Sequence, residues 1–121
     1  MKQRFFKIAQ TCSKKSTSNP KMGCVIVKKN KVVGVGFNDR HKTHPKSTTM
    51  GNTIHAELHA VIGVAAEDLR GAHVYVFREY VNGELAVARP CPHCHAVLVS
   101  AGIKKVFYTT YGGYDGYEIK K

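Results

Sequence analysis

Between residues 54 and 110, two helix-patterned segments each run straight into a short β-rich segment. That alternation limits the folds open to the chain. In the first segment Ile54, Leu58, Val61, Ile62, Ala65, Ala66 and Leu69 share one helical face, with Thr53 placed to cap it and Arg70-Gly71 to stop it. AHVYVFRE (72–79) then alternates as a strand. The second segment, RPCPHCHAVLVSAG, opens on proline, ends at Gly102 and leads into KKVFYTT (104–110). Upstream, Phe5, Phe6, Ile8, Ala9 and Cys12 predict a helix over 2–13. CVIVKKNKVVGVGF predicts a hairpin with strands 24–28 and 32–37 around the turn Lys28–Lys31. Gly34 and Gly36 inside its second strand predict a bulge or a close backbone approach. The order α-β-β-α-β-α-β specifies an α/β layered domain on a partly parallel sheet. The tail YGGYDGYEIKK carries turn formers and no decisive pattern.

A chain of 121 residues has room for one domain, 1–121. No apolar run approaches the ~18 residues of a membrane helix, and the opening MKQRFFKIAQTCSKK lacks the apolar stretch of a secretory signal. No membrane partner is expected. The net charge of +11 is lopsided. Residues 1–54 hold twelve cations and one acid, Asp39, whereas residues 55–121 hold seven of each. Such a field attracts phosphorylated molecules or polyanions. The two polar loops, Ser13–Gly23 and Asn38–Asn52, contain Lys14, Lys15, Lys21, Arg40, Lys42 and Lys46. Four cysteines in a chain with an ample apolar core argue for a reducing, cytoplasmic setting rather than a disulfide scaffold. Cys12 and Cys24 read as small core residues.

The chemistry concentrates at two helix starts. One carries His55-Ala56-Glu57; the other carries Pro90-Cys91-Pro92-His93-Cys94. Cysteines three apart in a first helical turn point the same way, and the helix dipole favours their thiolates. Two thiolates and an imidazole suit zinc, and three protein ligands leave a fourth position for water. Glu57, two residues after the imidazole, is placed to accept a proton from that water.

Histidine-x-glutamate followed by proline-cysteine-x-x-cysteine is the pattern of the zinc-dependent nucleobase deaminases. The chain resembles the cytidine/deoxycytidylate deaminase superfamily over roughly residues 17–110, and looks most similar to deoxycytidylate deaminases and their small virus-type relatives. NPKMGCVIVKKNKVVGVGFN, TIHAELHAV and RPCPHCHAVLVSAGIKKVFY carry the resemblance. It implies a three-layer α/β/α fold with a central mixed sheet. His55, Cys91 and Cys94 would hold one zinc ion, and Glu57 would shuttle protons. The Ala56 backbone would contact the pyrimidine carbonyl, Asn38 the nucleoside, and Arg40 the substrate phosphate. The implied reaction converts a cytosine nucleotide, dCMP, to dUMP with release of ammonia. A homo-oligomer is expected on the same ground. The segment Glu79–Arg89, with a hairpin signal at Asn82-Gly83, is longer than the family's usual connection and is expected to project as a flap or an oligomer contact.

Other readings stand beside this one. His59, one turn after His55, would complete a closed structural Cys2His2 site. Cys-x-x-Cys alone would suit a redox pair. Single-stranded DNA or RNA is an alternative substrate on the strength of the charge, and a basic zinc-stabilised binding module is the non-enzymatic alternative. His73, His93 and His95 read as surface or packing residues, and Tyr111, Tyr114 and Tyr117 as either base-stacking or sheet-covering groups.

Overall fold

Alternating apolar residues in two central strands send successive side chains to opposite faces, so the sheet needs a cover on each side. The computed structural model describes residues 3–16, 21–38, 56–80, 83–90 and 92–119, with the backbone alone at 57, 58 and 93. Its elements are α1 (Gln3–Ser13), β1 (Lys21–Lys28), β2 (Lys31–Phe37), α2 (Ala56–Val61), α3 (Ala66–Leu69), β3 (His73–Glu79), α4 (Pro92–Ala101), β4 (Lys105–Thr110) and β5 (Gly113–Glu118). The strands form one mixed sheet in the order β2-β1-β3-β4-β5. Only β3 and β4 are parallel neighbours; the other pairs are antiparallel.

Val25 and Val27 of β1 and Tyr75 and Phe77 of β3 pack with Phe5, Phe6 and Ala9 of α1 on one face. Cys24, Ile26, Val74 and Val76 turn to the other face, against Ala56 and Ala60 of α2, Leu69 of α3 and Leu98 of α4. These are the three layers that the resemblance implies. Cys12 and Cys24 are buried, as expected of core residues. Burial holds the Cys12 thiol pKa above its usual value, against the opposing pull of Lys15.

The first hairpin forms as its pattern predicts, with β1 starting three residues earlier, at Lys21. Its turn is Lys29-Asn30, both at positive φ (51° and 64°), the mirror-image turn that matches strand twist. Both glycine expectations hold. The register shifts at Ile26/Val27, and Gly34 and Gly36 lie under α2. A Cβ at Gly36 would sit 2.5 Å from the Ala56 carbonyl oxygen, and one at Gly34 would sit 2.8 Å from that of Ala60.

The helix over 54–70 is corrected: it is two short helices. Gly63 adopts φ +90°, Val64 N donates to the Val61 carbonyl at 3.2 Å, and α3 starts afresh at Ala66. The apolar stripe is kept only in part: Val61 and Leu69 reach the core, Ala65 and Ala66 are exposed, and Val64, outside the stripe, packs against the core. Thr53 and Ile54 lie outside the described residues. The tail becomes edge strand β5 after a turn with Gly112 at φ +85°. Tyr114 stacks on Phe6 at 4.3 Å, which is the sheet-covering role, while Tyr111 is exposed. Among the described residues no helix is long and apolar enough to cross a membrane.

Candidate active site

Strand direction decides where the functional residues meet. Lys21, which starts β1, pairs with Glu79, which ends β3, and Gly23 pairs with Phe37 at the end of β2. The start of β1 and the ends of β2 and β3 therefore share one edge of the sheet. A helix that connects parallel strands must run back against them, so α4 begins at the edge where β3 ends. The start of α2 arrives at the same edge, because Gly36, one residue before the end of β2, lies against Ala56. Helices α2 and α4 also pack on each other. Ligands in open α/β sheets collect at such an edge, beyond the carboxyl ends of the parallel strands.

Of the residues singled out in the sequence, the structure brings Asn38, Ala56 and Cys94 to this edge. Ala56 is wholly buried at the first position of α2, and Cys94 is 1% exposed in the first turn of α4. Glu57 occupies the second position of α2, its side chain being outside the described set. His55, Cys91 and Arg40 lie outside the described residues, as do His41, His44, Lys42 and Lys46. A buried thiol in the first turn of α4, with Cys91 three positions earlier in sequence and His55 bordering α2, is a donor set of two sulfurs and one imidazole. That set fits zinc.

Asn38 is held tightly. Its N–H donates to the Met22 carbonyl at 3.2 Å, its Oδ1 accepts from Met22 N at 2.9 Å, and the Ser16 hydroxyl lies 2.6 Å from both its Oδ1 and its backbone oxygen. Ser16 was not singled out in the sequence, where it is one of several polar residues in a basic loop. His59, the fourth donor of the closed-site reading, packs against the end of β2 through Nδ1 and its ring. Phe37 N–H donates to its Nδ1 at 3.1 Å, and its ring meets the Phe37 ring edge-on at 4.8 Å.

The segment 79–89 departs from the projecting hairpin. It closes after one bridge, Glu79↔Leu85, with Tyr80 N bonded to the Glu84 oxygen at 2.9 Å and Gly83 at φ +86°. From Ala86 the chain dives between the diverging ends of β3 and β4. Ala86 N donates to the Arg78 oxygen and Ala88 N to the Thr109 oxygen, each at 2.9 Å. Wholly buried Thr109 ties the three pieces together: its hydroxyl donates to the Ala86 oxygen at 2.7 Å and accepts from Arg78 N at 3.1 Å. Ala86, Ala88 and Pro90 are buried. This connector aims Pro90 and the start of α4 at the common edge. Nothing in the local pattern of Thr109 or Arg78 signals that task.

Beside the start of α4, Arg89 stacks over Tyr117 at 4.8 Å, and the Tyr117 hydroxyl meets His95 Nδ1 at 2.9 Å. Arg89, Pro90, Pro92, His95 and Tyr117 line a recess of about 450 Å³. His95 is thus a packing residue, as expected, and the tail supplies Tyr117 to it.

The sequence model of the family described as "Cytidine and deoxycytidylate deaminase zinc-binding region" matches residues 1–110. The chain belongs to this family. A probable deoxycytidylate deaminase of Caenorhabditis elegans is 31% identical over 119 residues, covering 88% of this chain and 55% of that protein. The diaminohydroxyphosphoribosylamino-pyrimidine deaminase of Buchnera aphidicola is 32% identical over 115 residues, covering 91% of this chain and 68% of its own length. In fold, the dCMP deaminase of cyanophage S-TIM5 superposes with a TM-score of 0.62 at 22% identity, covering 91% of this chain and 86% of that one. Membership makes this a zinc-binding deaminase family chain. The names of the two similar relatives point to different aminopyrimidines at nearly equal identity, so kinship alone does not select the ring.

Proposed function

We propose that the chain is a zinc-dependent hydrolytic deaminase of a cytosine nucleotide, converting dCMP to dUMP and ammonia. The observation that carries this reading is the convergence of the starts of α2 and α4 at one sheet edge, with Cys94 buried in the first turn of α4 and Asn38 alongside. His55, Cys91 and Cys94 are the ligands in this reading. Zinc, when bound there, makes a water acidic enough to act as a nucleophile near neutral pH. Glu57 takes one proton from the attacking water as oxygen adds to C4 of the ring, and delivers it to N3. It then returns a proton to the departing amine, so that water and the cytosine amine become the uracil carbonyl and ammonia. The Ala56 backbone and Asn38 hold the pyrimidine and its sugar, and Arg40 the phosphate.

The +11 charge favours a second reading, in which the cytosine sits in single-stranded DNA or RNA. The Buchnera relative adds a third reading and a second ring, the diaminohydroxyphosphoribosylamino-pyrimidine of its name. One panel separates them: zinc-loaded protein with deoxycytidine, dCMP, dCTP, a cytosine-containing oligonucleotide and the riboflavin-precursor aminopyrimidine, followed by ammonia release and product mass. The expected result is turnover of dCMP with a shallow salt dependence. A steep loss with added salt on the oligonucleotide identifies the polynucleotide reading. Glu57→Gln is expected to retain stoichiometric zinc and lower kcat by about 10²–10⁴-fold; a wild-type rate in that variant rejects the mechanism.

A further inference from the structure

We propose that a recess on the α1 face of the sheet, at the edge opposite the candidate active site, is a second binding site that takes a small aromatic anion: one ring carrying a phosphate or a carboxylate. It lies where β1 ends and β3 and β4 begin. The length of seven-residue β3, about 20 Å, separates it from the catalytic edge. The inference does not depend on the deaminase reading.

The recess has a volume of about 250 Å³ and a floor of rings. Tyr75 lies between Phe5, at 5.2 Å, and Phe107, at 4.9 Å, and His73 meets the Phe107 ring edge-on at 5.9 Å. Phe5 and Tyr75 are buried, whereas Phe107 and His73 are half-buried, so the latter pair is the surface that a ligand ring meets. One wall is bare backbone: a Cβ at Gly71 would find no atom within 4 Å. An apolar cavity of about 150 Å³ already holds benzene, so this recess has room for one ring and its acidic group.

Lys29, from the β1–β2 turn, and Lys105, from the start of β4, line the same recess, and no carboxylate does. Lys28 is occupied elsewhere, on the carbonyl oxygens of Glu67 and Arg70. Lys29 and Lys105 have no ion pair among the described residues. Burial, then the charges of Lys105 and Lys104, hold the His73 pKa below its usual value, which marks the place as positive with nothing to offset it. An anion seated between Lys29 and Lys105 supplies the offset, and a ring attached to it covers Phe107 and His73. Both halves are needed. A bare phosphate leaves the rings in water, and a neutral ring leaves the lysines without a partner.

The competing account is an ordinary basic surface in which Lys105 turns to Glu118, its neighbour across β4 and β5. The two separate when the full chain is titrated with phenyl phosphate and its backbone amides are followed by NMR, with benzoate, phenol and inorganic phosphate as comparisons. Saturable shifts are expected at Gly71, His73 and Lys105, with Glu79 and Thr110 at the catalytic edge unmoved. Phenyl phosphate or benzoate is expected to bind at least about tenfold more tightly than inorganic phosphate or phenol, the share of the covered ring. The tighter of the two identifies the acidic group. Lys29→Gln and Lys105→Gln are each expected to weaken binding about 3–10-fold, the value of one hydrogen bond. Phe107→Leu is expected to remove most of the preference over inorganic phosphate; the two lysine variants, which leave the core intact, decide if it is too unstable to assay. Equal affinity for inorganic phosphate, both lysine variants within twofold of wild type, shifts centred on the catalytic edge, or binding seen only in Glu118→Gln overturns the proposal. None of these outcomes bears on turnover, so the deaminase reading stands or falls on its own substrate panel.

Discussion

At Gly36 the backbone of β2 passes so close to α2 that no side chain fits: a Cβ there would collide with the Ala56 oxygen and the Ala60 nitrogen. Gly36→Ala is expected to cost about 1–3 kcal/mol by overpacking, read as a lower urea midpoint with an unchanged denaturant slope. Because Gly36 seats the start of α2, the same variant is expected to weaken zinc retention. This residue was legible in the sequence, since a glycine weakens a β-rich run and marks a bulge or a close approach there. Gly23, whose Cβ would fall on the Ala9 carbonyl, was not, because it sits at the edge of a segment with loop composition. Ser16 was less legible still. A serine in KKSTSNP carries no periodic or spacing signal, and its value lies in a partner 22 residues away.

Among the elements, the connector from Ala86 to Pro90 determines where α4 begins, and Thr109 secures it. Thr109→Val keeps the shape and removes the hydroxyl, leaving the Ala86 oxygen and the Arg78 N–H short of a partner. The expected cost is about 1–3 kcal/mol in thermal or urea unfolding; a loss below a few tenths of a kcal/mol would show that the clamp does not hold the connector. The break at Gly63 is likewise invisible to local pattern. Of the apolar stripe of 54–69, Val61 and Leu69 reach the core, while Ala65 and Ala66 are exposed. A stripe does not reveal a glycine that turns the chain by adopting φ +90°, since a mid-helix glycine with helical φ gives the same pattern. Strand β5, too, is glycine-rich and weak in strand propensity. It forms because β4 offers an open edge and because Gly116 makes room for Phe107.

At the scale of the whole molecule, the cations of the first half are divided in space among the described residues. Lys14 and Lys15 follow α1 beside Ser16, and Lys21 starts β1 at the site edge. Lys28, Lys29 and Lys31 cluster at the opposite edge, where Lys28 Nζ bonds the carbonyl oxygens of Glu67 and Arg70. His73 begins β3 at that far edge. Burial, then the charges of Lys105 and Lys104, hold its pKa below the usual histidine value. The unfolded chain therefore binds this proton more readily than the folded one. The group's contribution to stability is present above about pH 6.5 and is lost as pH falls below it. His73→Gln is expected to flatten the decline of Tm between pH 7 and pH 5, and an identical slope in wild type and variant would contradict the assignment. Since His73 lies across the sheet from the site, the variant is expected to leave the pH profile of kcat/KM unchanged. The sequence by itself determined the layered α/β class, the first hairpin and the family motif, because periodicity, turn residues and motif spacing are short-range properties of a chain. Tertiary structure alone decided the path of the connector beneath Thr109, the break at Gly63, the docking of the tail as β5 and the grip of Ser16 on Asn38. Each of those depends on which distant backbone atoms come within hydrogen-bond or van der Waals reach once the sheet has closed.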